Sequence, residues 1–186
     1  MTRIGIIIGS TRPGRKGHAV AEWVHKLAAQ RDDATYEIVD LVDFDLPRLN
    51  EPVPAAMGAD YQHEHTKRWS EAIKSYDGYV IVTPEYNHSI PGSLKDAIDY
   101  LYHEWKNKAV GFVGYGLTGA TRAVEQLRLI TAELHLADVR DQVTLNLFTD
   151  FDGEHLAPAD HRKPIVHRML DQVVAWSNAL APLRDS

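Results

Sequence analysis

Short apolar runs rich in β-branched residues alternate along this chain with stretches whose apolar residues recur every third or fourth position. "IGIIIG" (Ile4 to Gly9) is apolar on both faces, as a central parallel strand must be. Val20, Trp23, Val24, Leu27 and Ala28 then follow at helical spacing with charges between them. "TYEIVDL" (Thr35 to Leu41) predicts a second strand, Trp69, Ala72, Ile73 and Tyr76 a helix, and "GYVIVT" (Gly78 to Thr83) a third strand. Leu94, Ile98 and Leu101 continue helically, and "KAVGFVGY" (Lys108 to Tyr115) is a fourth strand. Val124, Leu127, Thr131 and Leu134 predict the next helix, "VTLNLF" (Val143 to Phe148) a fifth strand. Val166, Met169, Leu170, Val173, Val174 and Ser177 mark a closing helix, after which "PLRDS" is expected to fray.

Strand and helix in alternation predict a doubly wound α/β sheet within a single domain over residues 1–186. In such sheets ligands bind outside the carboxyl ends of the strands, where the strand order reverses. That directs attention to the loops after Gly9, Val82 and Tyr115. One further segment, Val42 to Asp60, is too long for a plain connector and predicts a functional loop or an interface.

Composition narrows the chemistry. A net charge of −6 disfavours a nucleic-acid partner. The absence of cysteine excludes disulfides, thiolate metal sites and cysteine nucleophiles. The apolar stretch Ile4 to Ile8 is too short for a signal peptide's core or a membrane span, so a cytoplasmic protein without a membrane partner is expected. Ten histidines raise the question of a metal, but "HEH" (His63 to His65) lacks further ligands at matched spacing and HExxH is absent. Solvated histidines and no metal site are the expectation. There is no GxSxG elbow for serine hydrolysis.

The loop "GSTRPGRKG" (Gly9 to Gly17) holds three glycines, two hydroxyls and three cations at the start of a helix. Backbone N–H groups there, with a hydroxyl and a guanidinium, make a cradle for phosphate. Cations at a helix N-terminus oppose its dipole unless an anion joins them. Walker A and GxGxxG spacings are both missing, which favours a single terminal phosphate, as in a mononucleotide. After the third strand, "TPEYNHSIPGSLKDAIDYL" (Thr83 to Leu101) combines prolines, an aromatic, an amide and an imidazole. Pro84 and Pro91 restrict the backbone, and Gly92 is expected to let the next helix begin tightly.

Together, "GSTRPGR" and "PEYNHSIPGSLKDAID" resemble the NADPH-dependent FMN reductase family, of flavodoxin-like fold, and the likeness runs from Ile4 to about Leu134. The resemblance implies a five-stranded parallel sheet of order 2-1-3-4-5. It implies that Ser10 and Arg12 hold the FMN phosphate, helped by Thr11, Arg15 and Gly17. Pro84, Glu85, Tyr86 and Asn87 would lie along the isoalloxazine ring with Ser89 just beyond, and Tyr115 and Gly116 of "YGLTGATR" would cover its other side. Tyr86 is open to a flavin or an interface role, His88 equally to flavin contact or surface packing, and Glu85 to a general-acid or a backbone-only role. Arg15 and Arg122 are candidates for the extra phosphate of NADPH. The implied activity is hydride transfer from NADPH or NADH to bound FMN, then by ping-pong to free flavin, a quinone or a similar small-molecule acceptor. No side chain is required as a catalytic acid, base or nucleophile. A homodimer or homotetramer is implied, and the long loop with "DYLYHEW" (Asp99 to Trp105) is expected to form its interface beside the flavin. The alternative function is a non-enzymatic flavodoxin-like electron carrier.

Overall fold

Five parallel strands in the order β2-β1-β3-β4-β5 carry the molecule, in a computed structural model that describes residues 1–184. They are β1 (Thr2–Ile8), β2 (Ala34–Asp40), β3 (Gly78–Pro84), β4 (Lys108–Gly116) and β5 (Leu136–Asn146). This is the flavodoxin-like order. Every residue of β3 is buried, and Ile6 of β1 sits in register with Ile38 of β2 and Val80 of β3. Branched side chains fit the pleat and are covered on both sheet faces, so the central strands read as continuous apolar runs.

Helices α1 (Gly17–Ala28) and α5 (Arg162–Leu180) cover one face, where Val20 and Val24 join Met169 and Val173 in one core. Helices α2 (Glu64–Lys74), α3 (Gly92–Asp99) and α4 (Thr121–Glu133) cover the other through Trp69, Leu94, Ile98 and Leu127. The chain leaves β1 for β2 on one side and returns to β3 on the other. The switch point therefore lies above the carboxyl ends of β1 and β3.

Three expectations are corrected and one element is added. β5 begins at Leu136, seven residues before the apolar run that signals it, and its first half is polar because it is an edge strand. Asp138 there pairs with Arg128, and Asp141 with Arg168. A hairpin of β6 (Phe151–Asp152) and β7 (His155–Leu156) follows, unannounced by any apolar pattern. "DYLYHEW" offers little surface, since Tyr100, Leu101 and Trp105 are buried in the core of their own chain. The tail is anchored as far as Arg184, whose guanidinium donates to Asn107 O, Ser177 O and Asp77; residues 185 and 186 lie outside the described residues.

The long 42–60 segment is pinned as well. The Tyr100 hydroxyl donates to Arg48 O and to Asn50 Oδ1, and Glu51 accepts the Gln62 and His63 N–H groups. His63 and His65 hydrogen-bond Asn50 rather than only water.

Candidate functional site

The β1–α1 loop stands at the switch point, and its cations divide into committed and free. Arg15 is ion-paired with Asp40 at the end of β2. Lys16 pairs with Glu154 and also donates to Gly153 O. Arg12 alone of the three has no hydrogen-bond or ion-pair partner for its guanidinium among the described residues. Beside it Ser10 is buried, and its Oγ lies 3.0 Å from the Tyr86 hydroxyl. Arg12 N–H points to the same Oγ at 3.4 Å.

The loop after β3 is a tight reversal that the sequence did not announce. Tyr86 N–H donates to Ser89 O at 2.9 Å and Ser89 N–H returns to Tyr86 O at 3.1 Å. Between them Asn87 (φ 52°) and His88 (φ 69°) both take the left-handed conformation, which is the pattern of a type I′ turn. The usual signal is Asn-Gly; here the second position is His, a residue that tolerates this region better than most. Pro91 precedes α3. Gly92 opens the helix with nothing within 4 Å of where its Cβ would be, so the tight start needs no glycine.

The third loop, after β4, closes down on its own strand. A Cβ on Gly114 would come 2.4 Å from Gly119 O, and Gly119 itself has φ +67°. Tyr115, the last residue but one of β4, lines a cleft beside Gly116. It is buried, and its hydroxyl packs against Gly17, leaving Gly116 and Leu117 at the rim. Burial pushes the Tyr115 phenol well above its ordinary value, so it stays protonated.

These loops meet in two adjoining clefts. One of about 380 Å³ is walled by Ser10, Thr11, Arg12, Tyr86, Pro91 and Ser93, with Leu46 to Arg48 of the long segment opposite. The other, about 170 Å³, lies between Arg12, Arg15, Pro84 and Tyr86 on one side and Tyr115, Gly116 and Leu117 on the other. Arg12 and Tyr86 line both. Gly17 starts α1 beneath them, and Asn87 and Ser89 lie in the turn whose first residue, Tyr86, lines both clefts. Leu46, Pro47, Arg48 and Leu117 were not foreseen; only the length of the 42–60 segment hinted at the first three.

Glu85 has one role in this structure. Its side chain is 7% exposed, and it accepts hydrogen bonds from Arg122 Nε (2.6 Å), Arg122 N–H (3.1 Å) and Ala123 N–H (3.3 Å). Burial alone would raise this carboxyl, but those donors outweigh it and hold it below its usual range. A carboxylate held this way is a poor general acid. Arg122 is equally occupied, by Glu85, His88 and Thr118, so neither it nor Arg15 is a free receptor for a second phosphate.

A larger cavity, about 430 Å³, lies at the opposite end of the sheet near Lys108 and Arg184. Its buried charges serve the fold. Lys108 Nζ donates to Ile73 O and Lys74 O at the end of α2 and to the Tyr79 hydroxyl. Glu104 accepts from Tyr61 and Ser70. Among the described residues no group of three or more His, Asp or Glu side chains is placed to hold a metal ion. No described helix is long and apolar enough to cross a membrane.

The residues of the two clefts suit a flavin mononucleotide. A buried hydroxyl, an uncommitted guanidinium and the N-terminus of α1 sit together where a phosphate would be held, and Arg15 keeps a buried Nε without a partner.

The family model described as NADPH-dependent FMN reductase matches residues 2–150. An NAD(P)H-dependent FMN reductase of Nectria sp. is 47% identical over 132 residues, 68% of this chain and 66% of that protein. One of Schizosaccharomyces pombe is 34% identical over 183 residues, 98% of this chain and 85% of its own length. A quinone reductase of Pseudomonas putida is 28% identical over 183 residues, 93% of each chain. Among solved structures, the flavoenzyme NAD(P)H:(acceptor) oxidoreductase FerB from Paracoccus denitrificans superposes with a TM-score of 0.72 at 23% identity, covering 96% of this chain and 98% of its own, a likeness of fold.

Proposed function

The chain belongs to the NADPH-dependent FMN reductase family, and on that premise we propose that it is an FMN-dependent NAD(P)H oxidoreductase. Reducing equivalents pass from NADPH or NADH to free flavin, a quinone or a similar small acceptor. The observation that carries the reading is the free Arg12 guanidinium beside buried Ser10, at the one place where the loops of β1, β3 and β4 converge.

Bound FMN would supply the redox chemistry, taking up a hydride and handing it on. The chain's own residues bind and orient. Ser10, Thr11 and Arg12 hold the phosphate, with Arg15 and Gly17 shaping the cradle beneath. The turn from Tyr86 to Ser89 offers backbone donors and acceptors to the ring's polar edge, and Pro84 fixes where that turn leaves β3. Gly116, without a side chain, leaves the other side open to a nicotinamide. No acid or base is needed: Glu85 is held ionised by Arg122 and Tyr115 is held protonated by burial.

One open face serving donor and acceptor in turn implies ping-pong kinetics. Initial rates with varied NADPH at several fixed quinone concentrations should give parallel double-reciprocal lines. Lines that intersect would mean both substrates bind together, and the shared-face reading would fail.

The same reading makes the protein a cytoplasmic homodimer or homotetramer. With "DYLYHEW" buried, support for an interface comes from the α3–α4 groove, where Leu129 is 70% exposed beside Ile98 and Ile130. Light scattering at micromolar concentration should give two or four chain masses, and Leu129→Glu should lower that number. A single-chain mass for the unsubstituted protein would remove the idea.

A further inference from the structure

Helix α4 starts without a cap of its own. Ala120, which precedes it, has φ 54° and no side chain that can accept the first N–H groups. The missing acceptor comes from Glu85, 37 residues earlier, which takes the N–H groups of Arg122 and Ala123. The same carboxylate holds the Arg122 side chain through Nε and Nη2. Arg122 is thereby locked with Nη1 turned towards the 86–89 turn, where it meets His88 Nε2 at 2.8 Å.

A guanidinium only donates hydrogen bonds, so His88 Nε2 must accept and the imidazole must be neutral, with its proton on Nδ1. A proton on Nε2 would remove the lone pair and set two cations against each other. Arg122 from α4 meets His88 with Glu85, the residue after β3, behind it; the Thr118 hydroxyl accepts from Nη2. Glu85 is held below the usual carboxylate range and stays ionised.

The turn needs such a hold. Asn87 and His88 are successive left-handed residues without a glycine, a conformation that L side chains resist. Its own two backbone hydrogen bonds close it, and among the described residues Arg122 alone ties its tip to the loop across the crevice.

We propose that Arg122 is a positioning residue which, through neutral His88, fixes the 86–89 turn against the β4–α4 loop, and that protonation of His88 releases the turn. The proposal rests on the flavin reading of the crevice, because the two tied loops are the ones that would flank the ring. It makes flavin affinity proton-sensitive through a contact that does not touch the phosphate.

The test uses riboflavin, which has no phosphate to titrate, in fluorescence titrations from pH 8 to pH 5 with the full chain and with His88→Gly. Glycine accepts the left-handed backbone, so this variant removes the tie without adding strain. Riboflavin binding to the unsubstituted protein should weaken by about five- to tenfold on acidification, the size expected for two exposed cations roughly 4 Å apart in water. His88→Gly should show no such pH dependence, and its thermal unfolding should show it folded. An unsubstituted protein with pH-independent affinity, or a His88→Gly variant that keeps the same pH dependence, would overturn the proposal. Failure of the unsubstituted protein to bind riboflavin or FMN at pH 8 would overturn the flavin reading itself, and this role with it.

Discussion

Arg12→Ala should bind FMN about ten- to a hundredfold less tightly than the unsubstituted protein, while its affinity for riboflavin stays nearly unchanged. The expected size is that of a charge-assisted hydrogen bond, roughly 1.5–3 kcal/mol, at about 1.4 kcal/mol for each factor of ten. Arg12 suits the experiment because its guanidinium makes no hydrogen bond or ion pair with another described residue. The neighbouring Arg15 differs: its bond to Asp40 ties the β1–α1 loop to the end of β2, so removing it disturbs the loop whether or not a phosphate binds there. For Arg12→Ala the unfolding temperature should hardly move. Fluorescence titration with both ligands separates the cases. Equal loss for FMN and riboflavin would show that Arg12 supports the ring or the loop's shape instead of the phosphate.

The central strands could be read from sequence because burial on both faces leaves only one kind of residue in them, as in Gly78 to Thr83 of β3. Helices α1 and α5 showed for a related reason, each pressing one apolar stripe onto the sheet. The first half of β5 did not show. Asp138 and Asp141 are stabilised there by Arg128 and Arg168 from neighbouring helices, contacts that local pattern cannot carry. The mistake over Tyr100 and Trp105 was of the same kind. Aromatic residues in a short irregular stretch look available, until Trp69, Tyr79 and the Asn50 side chain arrive from elsewhere to enclose them.

At the site, the phosphate loop was legible because glycine, hydroxyl and guanidinium are themselves the chemistry. Which of its cations is free was not, since that depends on Asp40 and Glu154, 25 and 138 residues away from their partners. Likewise Glu85 was open in sequence to an acid or a backbone-only role and its carboxylate caps a helix, and Asn87-His88 gave no turn signal because the expected glycine is absent.

The account's central claim is that a nicotinamide reaches the crevice directly, past Gly116, with no other protein between donor and flavin. Neither candidate arginine is free to read a second phosphate, so NADPH and NADH should both serve, and the faster one identifies the preferred donor. An electron carrier of the same fold would differ in this respect alone, holding its flavin where only a separate reductase can deliver electrons. The measurement is anaerobic mixing of FMN-loaded protein with NADPH, and separately with NADH, while the visible absorbance of oxidised flavin is followed. The expected result is complete bleaching, and rapid recovery of the colour when a quinone is added afterwards. If neither nucleotide bleaches the flavin within minutes while dithionite does, the crevice admits no nicotinamide and the protein is a carrier, contrary to everything proposed for Gly116 and its loop.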